Sequence, residues 1–250
     1  MEYIHRLIAF FATIFIVYNA WRSWRKRRGD ALVRGLALGS IALLLLQSAL
    51  GALIVVLKLP GWFTTIDVSN SLVLLAVLGA LTAVGVHEVR DSRRLQVGDE
   101  KDDKLAASLR LPAAVTTIVI FIQTVIGGYF RHSGESQALF GQNSYLLSHF
   151  QHRMPGIDIS VIMLVIHIGF TVAVIAAIVW LAFKVAAAGR YRTPVIALLF
   201  LTLYQAVVGV VSLQTKLSLS SDTLHFAGAA AMIGISGYIW TIVSVTAKPQ

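Results

Sequence analysis

His5, His152 and His225 each stand near one end of a long apolar stretch, and two of them are followed by arginine, as His5-Arg6 and His152-Arg153. A neutral imidazole offers one ring nitrogen to a metal. Two imidazoles on facing helices can hold a haem iron from both sides. A haem also needs cations near its propionates, and Arg131 and Arg153 are available for that. Zinc fits less well, because it wants three or four ligands converging on one point and the chain has no His-x-x-x-His or Glu-His cluster. The competing reading of the same histidines is structural, or a proton relay. His167, inside Leu164-Val165-Ile166-His167-Ile168-Gly169-Phe170, reads as a neutral core imidazole bonded to a neighbouring helix or as a functional intramembrane group. His87 stands among charges and reads as solvated. Cysteine is absent, so disulfides, thiolate metal sites and cysteine catalysis are excluded.

The elements that carry these residues are set by composition. Of 250 residues, 57% are hydrophobic and 13% charged, with a mean hydropathy of +0.76. A soluble domain is about 25% charged, so this chain cannot coat itself for water. It reads as an all-α integral membrane protein. Spans of about 20 apolar residues cross a bilayer, and seven are expected, at 3–21, 35–57, 64–86, 112–130, 158–183, 194–214 and 222–246. The first is not a cleaved signal, since its basic run follows the apolar stretch.

The net charge of +9 reports topology. Sixteen of the 21 Lys and Arg fall in 22–34, 87–111, 184–193 and the tail; the other five are Arg6, Lys58, Arg131, Arg153 and Lys216. Basic residues collect on the cytoplasmic side. This predicts a multi-pass cell-membrane protein with its N-terminus outside and its C-terminus cytoplasmic. The excess is then no sign of nucleic-acid binding. Segment 88–104 also carries six acids and reads as a solvated inner loop, and 131–157 reads as the longest outer loop. The expected organisation is an N-terminal half at 1–86, a charged loop at 87–111 and a C-terminal half at 112–250.

The halves repeat. Gln47 and Gln205 are each followed four residues later by glycine, Gly51 and Gly209, and twenty residues later by Asp67 and His225. His5-Arg6 matches His152-Arg153 in the same sense. The fourth span, with Gln123 and Gly127, has no partner before the first span. The expected fold is a pseudo-twofold arrangement of three or four helices plus four, with sites in or between the halves. The plainer role for Gln-x-x-x-Gly is helix packing.

Together these motifs resemble the haem A synthase (Cox15/CtaA) family. The Glu-x-x-His-Arg signature is matched by Glu2-Tyr3-Ile4-His5-Arg6. A Gln-containing span that ends in Gly, Arg-His-Ser-Gly is matched by Gln123 and Gly128-Tyr129-Phe130-Arg131-His132-Ser133-Gly134, with the glycine one residue nearer the arginine. His152-Arg153 and the lone His225 complete the order. The resemblance spans nearly the whole chain.

It implies a haem b between His152 and His225, with Arg153 and Arg131 near its propionates. It also implies a substrate haem O in the N-terminal half, held through His5, with Glu2 and Arg6 in the chemistry that oxidises a ring methyl to a formyl group. Implied partners are the haem substrate and membrane lipid, a haem O synthase and an electron donor. The chain departs from the family in three ways. Asp67 stands where the family has its second N-terminal histidine. The family's first span is absent from the sequence, which a start upstream of Met1 would explain and which, as a true loss, would open the N-terminal half. The paired outer-loop cysteines are also missing. The alternatives are a membrane b-type cytochrome that has lost the synthase reaction, and a transporter or purely structural bundle.

Overall fold

The structure is a computed structural model describing residues 2–26, 30–93, 100–141, 155–188 and 190–246, without the side chains of 2–6, 26, 88–93, 100–103 and 188. Inside a bilayer no water is present to bond exposed backbone amides, so each apolar stretch must satisfy itself as a helix. The elements in order are α1 (Glu2–Lys26), α2 (Ala31–Leu57), α3 (Gly61–Arg93), α4 (Glu100–His132), α5 (Glu135–Phe140), α6 (Ile157–Ala188), α7 (Arg192–Gln214) and α8 (Leu219–Thr246). All except α5 are long and apolar enough to cross a membrane. The protein is an all-α integral membrane protein with seven such helices among the described residues.

Two segments differ from the sequence reading. Segment 87–111 is helical over much of its length, because α3 continues to Arg93 and α4 is already helical at Glu100. Its charges prevent burial in lipid but do not prevent helix, since Glu, Lys and Arg are good helix formers. The stretch after α4 holds the short helix α5. Gly134, at φ 95°, turns the chain between them, a conformation glycine adopts without steric cost. Glu135, Ser136 and Gln137 of α5 are buried, and α5 packs on α6.

The internal repeat is visible in three dimensions at a constant offset of 158 residues. Lys58 follows α2 and Lys216 follows α7, and both are left-handed, at φ 48° and 52°. Such a backbone is costly for a side-chain-bearing residue, so its recurrence marks the same tight turn. At Lys58 the strained turn lets the amide bond back to Ile54 O. Further along, α3 and α8 form the most extensive helix contact among the described residues. Gly79 lies against Gly234 and 3.2 Å from Tyr238 N, measured from where its Cβ would stand, and Gly237 lies 3.1 Å from Ala76 Cα in the same sense. Ala76 and Gly234 are repeat mates, as are Gly79 and Gly237. Each helix therefore offers its small residues to the other in the same way, which is a twofold relation of contacts. Small residues permit this close approach in a membrane, where packing has to supply the attraction between helices.

The buried core collects around this crossing. Leu72, Ile178, Leu181, Leu198, Ile233 and Ile239 are almost wholly enclosed. In contrast, α1 and α2 expose Phe10, Phe11, Ile14, Phe15, Val55 and Val56, surfaces suited to lipid. Asp30 caps α2 by accepting from Val33 N at 3.0 Å, a usual device for the unpaired amides of a first turn.

Candidate functional site

Three pairs of long helices carry a repeated device made of one glutamine and one glycine on one helix and an acceptor on another. In the α7–α8 pair, Gln205 Nε2 donates to the backbone carbonyl of His225 at 2.7 Å. Gly209, one turn further along α7, leaves the imidazole room, since a Cβ there would lie 3.4 Å from His225 Cε1. Gly228 on α8 in turn receives Gln205 and Tyr204, and a Cβ there would come within 2.6 Å of Tyr204 Cε1. Tyr204 Oη donates to Leu224 O at 3.1 Å. The two helices are thus locked in register on either side of His225. Its Nδ1 is buried with no hydrogen-bond partner.

The α4–α6 pair repeats the device around His167. Gln123 Nε2 donates to His167 O at 3.1 Å and to Thr171 Oγ1 at 2.7 Å, and it lies 3.2 Å from His167 Nδ1. Gly127 stands against the ring, where a Cβ would be 2.9 Å from Cε1. Phe130 stacks over the imidazole with centroids 5.9 Å apart. Gln123 Oε1 is buried without a partner.

The α2–α3 pair has the third copy, with a carboxylate in place of the imidazole. Gln47 Nε2 donates to Asp67 Oδ1 at 2.7 Å, and Asn70 Nδ2 donates to Gln47 Oε1 at 2.7 Å and to Leu43 O at 3.0 Å. Here the glutamine bonds the side chain and not the backbone, since the carboxylate is itself a strong acceptor. A Cβ on Gly51 would meet nothing within 4 Å. Asp67 and His225 each stand six residues after the first residue of their helix.

Above this layer α4 ends in polar residues. Arg131 Nε pairs with Asp222 Oδ2 at 2.6 Å, both side chains mostly buried, and Asp222 is one turn before His225. His132 Nδ1 lies 3.5 Å from Thr65 Oγ1 of α3, and Gly128 lies against Thr65 and Val68. The end of α4 thus touches α3 as well as α8. Ser133 Oγ, Glu135 Oε2 and Ser136 Oγ are buried without partners. Burial raises the Glu135 carboxyl above its ordinary value of 4.5, opposed in part by the bond from its own backbone amide.

The site residues expected from sequence fall into three groups. Asp67, Arg131 and His225 are placed as above. Glu2, His5 and Arg6 form the first turns of α1, with side chains outside the described residues; His152 and Arg153 lie outside them altogether. Gln123, Gly127 and His167 enter as a set the sequence reading did not assemble. Among the described residues no three metal-ligating side chains converge; His167 on α6 and His225 on α8 each stand beside a glutamine and a glycine of a neighbouring helix. A haem suits this pair. Gln123 Oε1 and His225 Nδ1 are buried polar atoms without partners. The two glycines leave each ring without a crowding side chain, and Arg131 supplies a cation.

These features define a multi-pass helical membrane protein with an internal repeat and a histidine pair in its C-terminal helices. A family model described as cytochrome oxidase assembly protein, COX15-CtaA, matches residues 1–236. The chain belongs to this family, and its function lies in haem A biosynthesis. No curated protein matches the chain.

Proposed function

We propose that this protein is a haem A synthase-like membrane oxidoreductase that oxidises a methyl group of haem O to a formyl group. The observation that carries the reading is the setting of His225: its helix anchored by Gln205, its ring spaced by Gly209, and its Nδ1 left unpartnered. A haem b bound there would relay electrons. Around it, Gln205 and Gly209 fix the depth and rotation of the imidazole, Arg131 offers positive charge to propionates, and the apolar core excludes water. In the N-terminal helices, His5 is the residue to hold haem O, with Glu2 and Arg6 beside it in sequence to handle protons and charge. The orientation that fits the charge distribution puts both sites near the outer face of a cell membrane. A haem O synthase is the partner whose product this protein would take, and an electron donor completes the set.

Asp67 favours a second reading. Its carboxylate occupies the position of His225 in the repeat and is bonded to Gln47. Carboxylate binds haem iron far less well than imidazole. A b-type cytochrome that keeps only the C-terminal haem would have this arrangement. Co-expression with a source of haem O separates the two: haem A among the extracted pigments supports the synthase, and haem O alone contradicts it.

A further inference from the structure

We propose that a haem in the N-terminal half takes a single axial imidazole from this chain, that its other iron face is open to a small exogenous ligand, and that Asp67 and Asn70 form the polar wall on that open side. The inference rests on the N-terminal haem reading above. It comes from how the repeat copy that carries Asp67 differs from the copy that carries His225.

The offset of 158 residues pairs each position of α2 and α3 with one of α7 and α8. Five positions around the acceptor differ. Ser48 stands for Ala206, Asp67 for His225, Ser69 for Ala227, Asn70 for Gly228 and Ser71 for Ala229. Four of these put a polar residue where the other copy has a small apolar one, and the fifth puts a carboxylate in place of an imidazole. The exchange does not run along the whole helix. Trp62 and Phe63, stacked with centroids 3.9 Å apart, occupy the positions of Ser220 and Ser221. Polarity has moved from the start of the helix into the span. Ionisable groups within a span are costly and mark function more often than packing.

The two copies also hold their glutamines differently. Gln205 donates to the backbone carbonyl of His225 at 2.7 Å, with Gly228 making room for it. Gln47 donates to Asp67 Oδ1 at 2.7 Å, and buried Asn70, in the place of Gly228, donates to Gln47 Oε1 at 2.7 Å. Asp67 and Asn70 thus serve the two ends of one amide. The carboxylate is tied to α2 by a bond that it would have to give up to reach a metal, so it acts as a hydrogen-bonding group and not as an iron ligand. There is room beside it. A Cβ on Gly209 would meet the His225 ring at 3.4 Å, whereas one on Gly51 would meet nothing within 4 Å. Helix packing accounts for Ser69 and Ser71, whose hydroxyls donate to Thr65 O and Asp67 O of their own helix. It does not account for a carboxylate held in the span by an amide network. Polarity and access on the open side of a haem decide whether it binds small ligands or only passes electrons. The α7–α8 copy, with Ala, Gly, Ala and an imidazole, suits electron transfer; the α2–α3 copy suits ligand binding.

The test is spectroscopic, on the full chain purified after co-expression with a source of haem O. Beside the low-spin haem of the C-terminal half, wild type should carry a high-spin haem that binds carbon monoxide when reduced and cyanide when oxidised. Asp67→His should convert this haem to low spin and abolish its carbon monoxide binding. Asp67→Asn should keep it high-spin but bind cyanide, an anion, severalfold more tightly, because a negative charge beside the iron is removed. Its amide oxygen can still accept from Gln47, which keeps the helix pair together, and helix content and monodisperse elution report folding of each variant. A purely structural Asp67 predicts no change in cyanide affinity, and that result overturns the inference. A second haem in wild type that is low-spin and refuses carbon monoxide also overturns it, while the N-terminal haem reading stands. A wild type that carries the C-terminal haem alone overturns that reading and the inference with it.

Discussion

Gly79 on α3 and Gly237 on α8 are repeat mates, and each rests against the small residue of the other's helix, Gly79 against Gly234 and Gly237 against Ala76. Both contacts involve backbone, which cannot move aside as a flexible side chain can. Gly79→Val should therefore force α3 and α8 apart at the centre of the fold. Overpacking of this kind costs about 1–3 kcal/mol. Thermal unfolding in detergent should show a clearly lowered midpoint. Gly51→Val, at a position that faces open space, should leave the midpoint nearly unchanged. Equal midpoints for the two variants would mean that the crossing is not tight.

A side chain at Gly127 or Gly209 should act on the histidines before it acts on the fold. A Cβ at Gly127 would sit 2.9 Å from His167 Cε1, and one at Gly209 would sit 3.4 Å from His225 Cε1. Gly127→Ala should displace its imidazole and weaken haem retention severalfold. Gly209→Ala, with a few tenths of an ångström more room, should weaken it less. Haem-to-protein ratio after purification measures both, with helix content as the control. The opposite order would contradict the ring positions described above.

Much of this arrangement was legible in the sequence. Seven spans could be read because lipid demands uninterrupted apolar helix, and the Gln47 and Gln205 copies could be read because a gap-free twenty residues link each to its mate on the next helix. The third copy escaped for a geometric reason. Gln123 and His167 are 44 residues apart, since α5 and the outer segment intervene, so no spacing rule connects them. Helix α5 escaped because six residues show no helical period, and its polar residues face inward. The helical extension of 87–111 escaped because its charges mark exposure but not conformation.

Glu135 should give the fold a pH dependence. Burial raises its carboxyl above 4.5, so the folded protein holds this proton more tightly than the unfolded chain does. The associated stability is fully present below the unfolded value near 4.5 and is lost as pH rises through the folded value. Glu135→Gln cannot ionise and should lack this loss. Unfolding midpoints measured from pH 4.5 upward should fall in wild type relative to the variant. Parallel profiles would show that Glu135 titrates alike in both states.

Asp67→His restores an imidazole where the repeat places one. With Gln47 released from the carboxylate, the amide is free to bond the backbone of residue 67 as Gln205 bonds that of His225. If the N-terminal helices hold haem through His5, the variant should bind additional low-spin haem. Unchanged haem content would mean that this region is not a haem site in this chain.

The account depends most directly on His225. The decisive measurement is the reduced-minus-oxidised absorption spectrum of purified wild type beside that of His225→Ala, both expressed with haem supplied and checked for intact helix content. A low-spin b-type haem present in wild type and lost in the variant is the predicted result. A low-spin haem that persists unchanged in His225→Ala, or is absent from wild type, would contradict it.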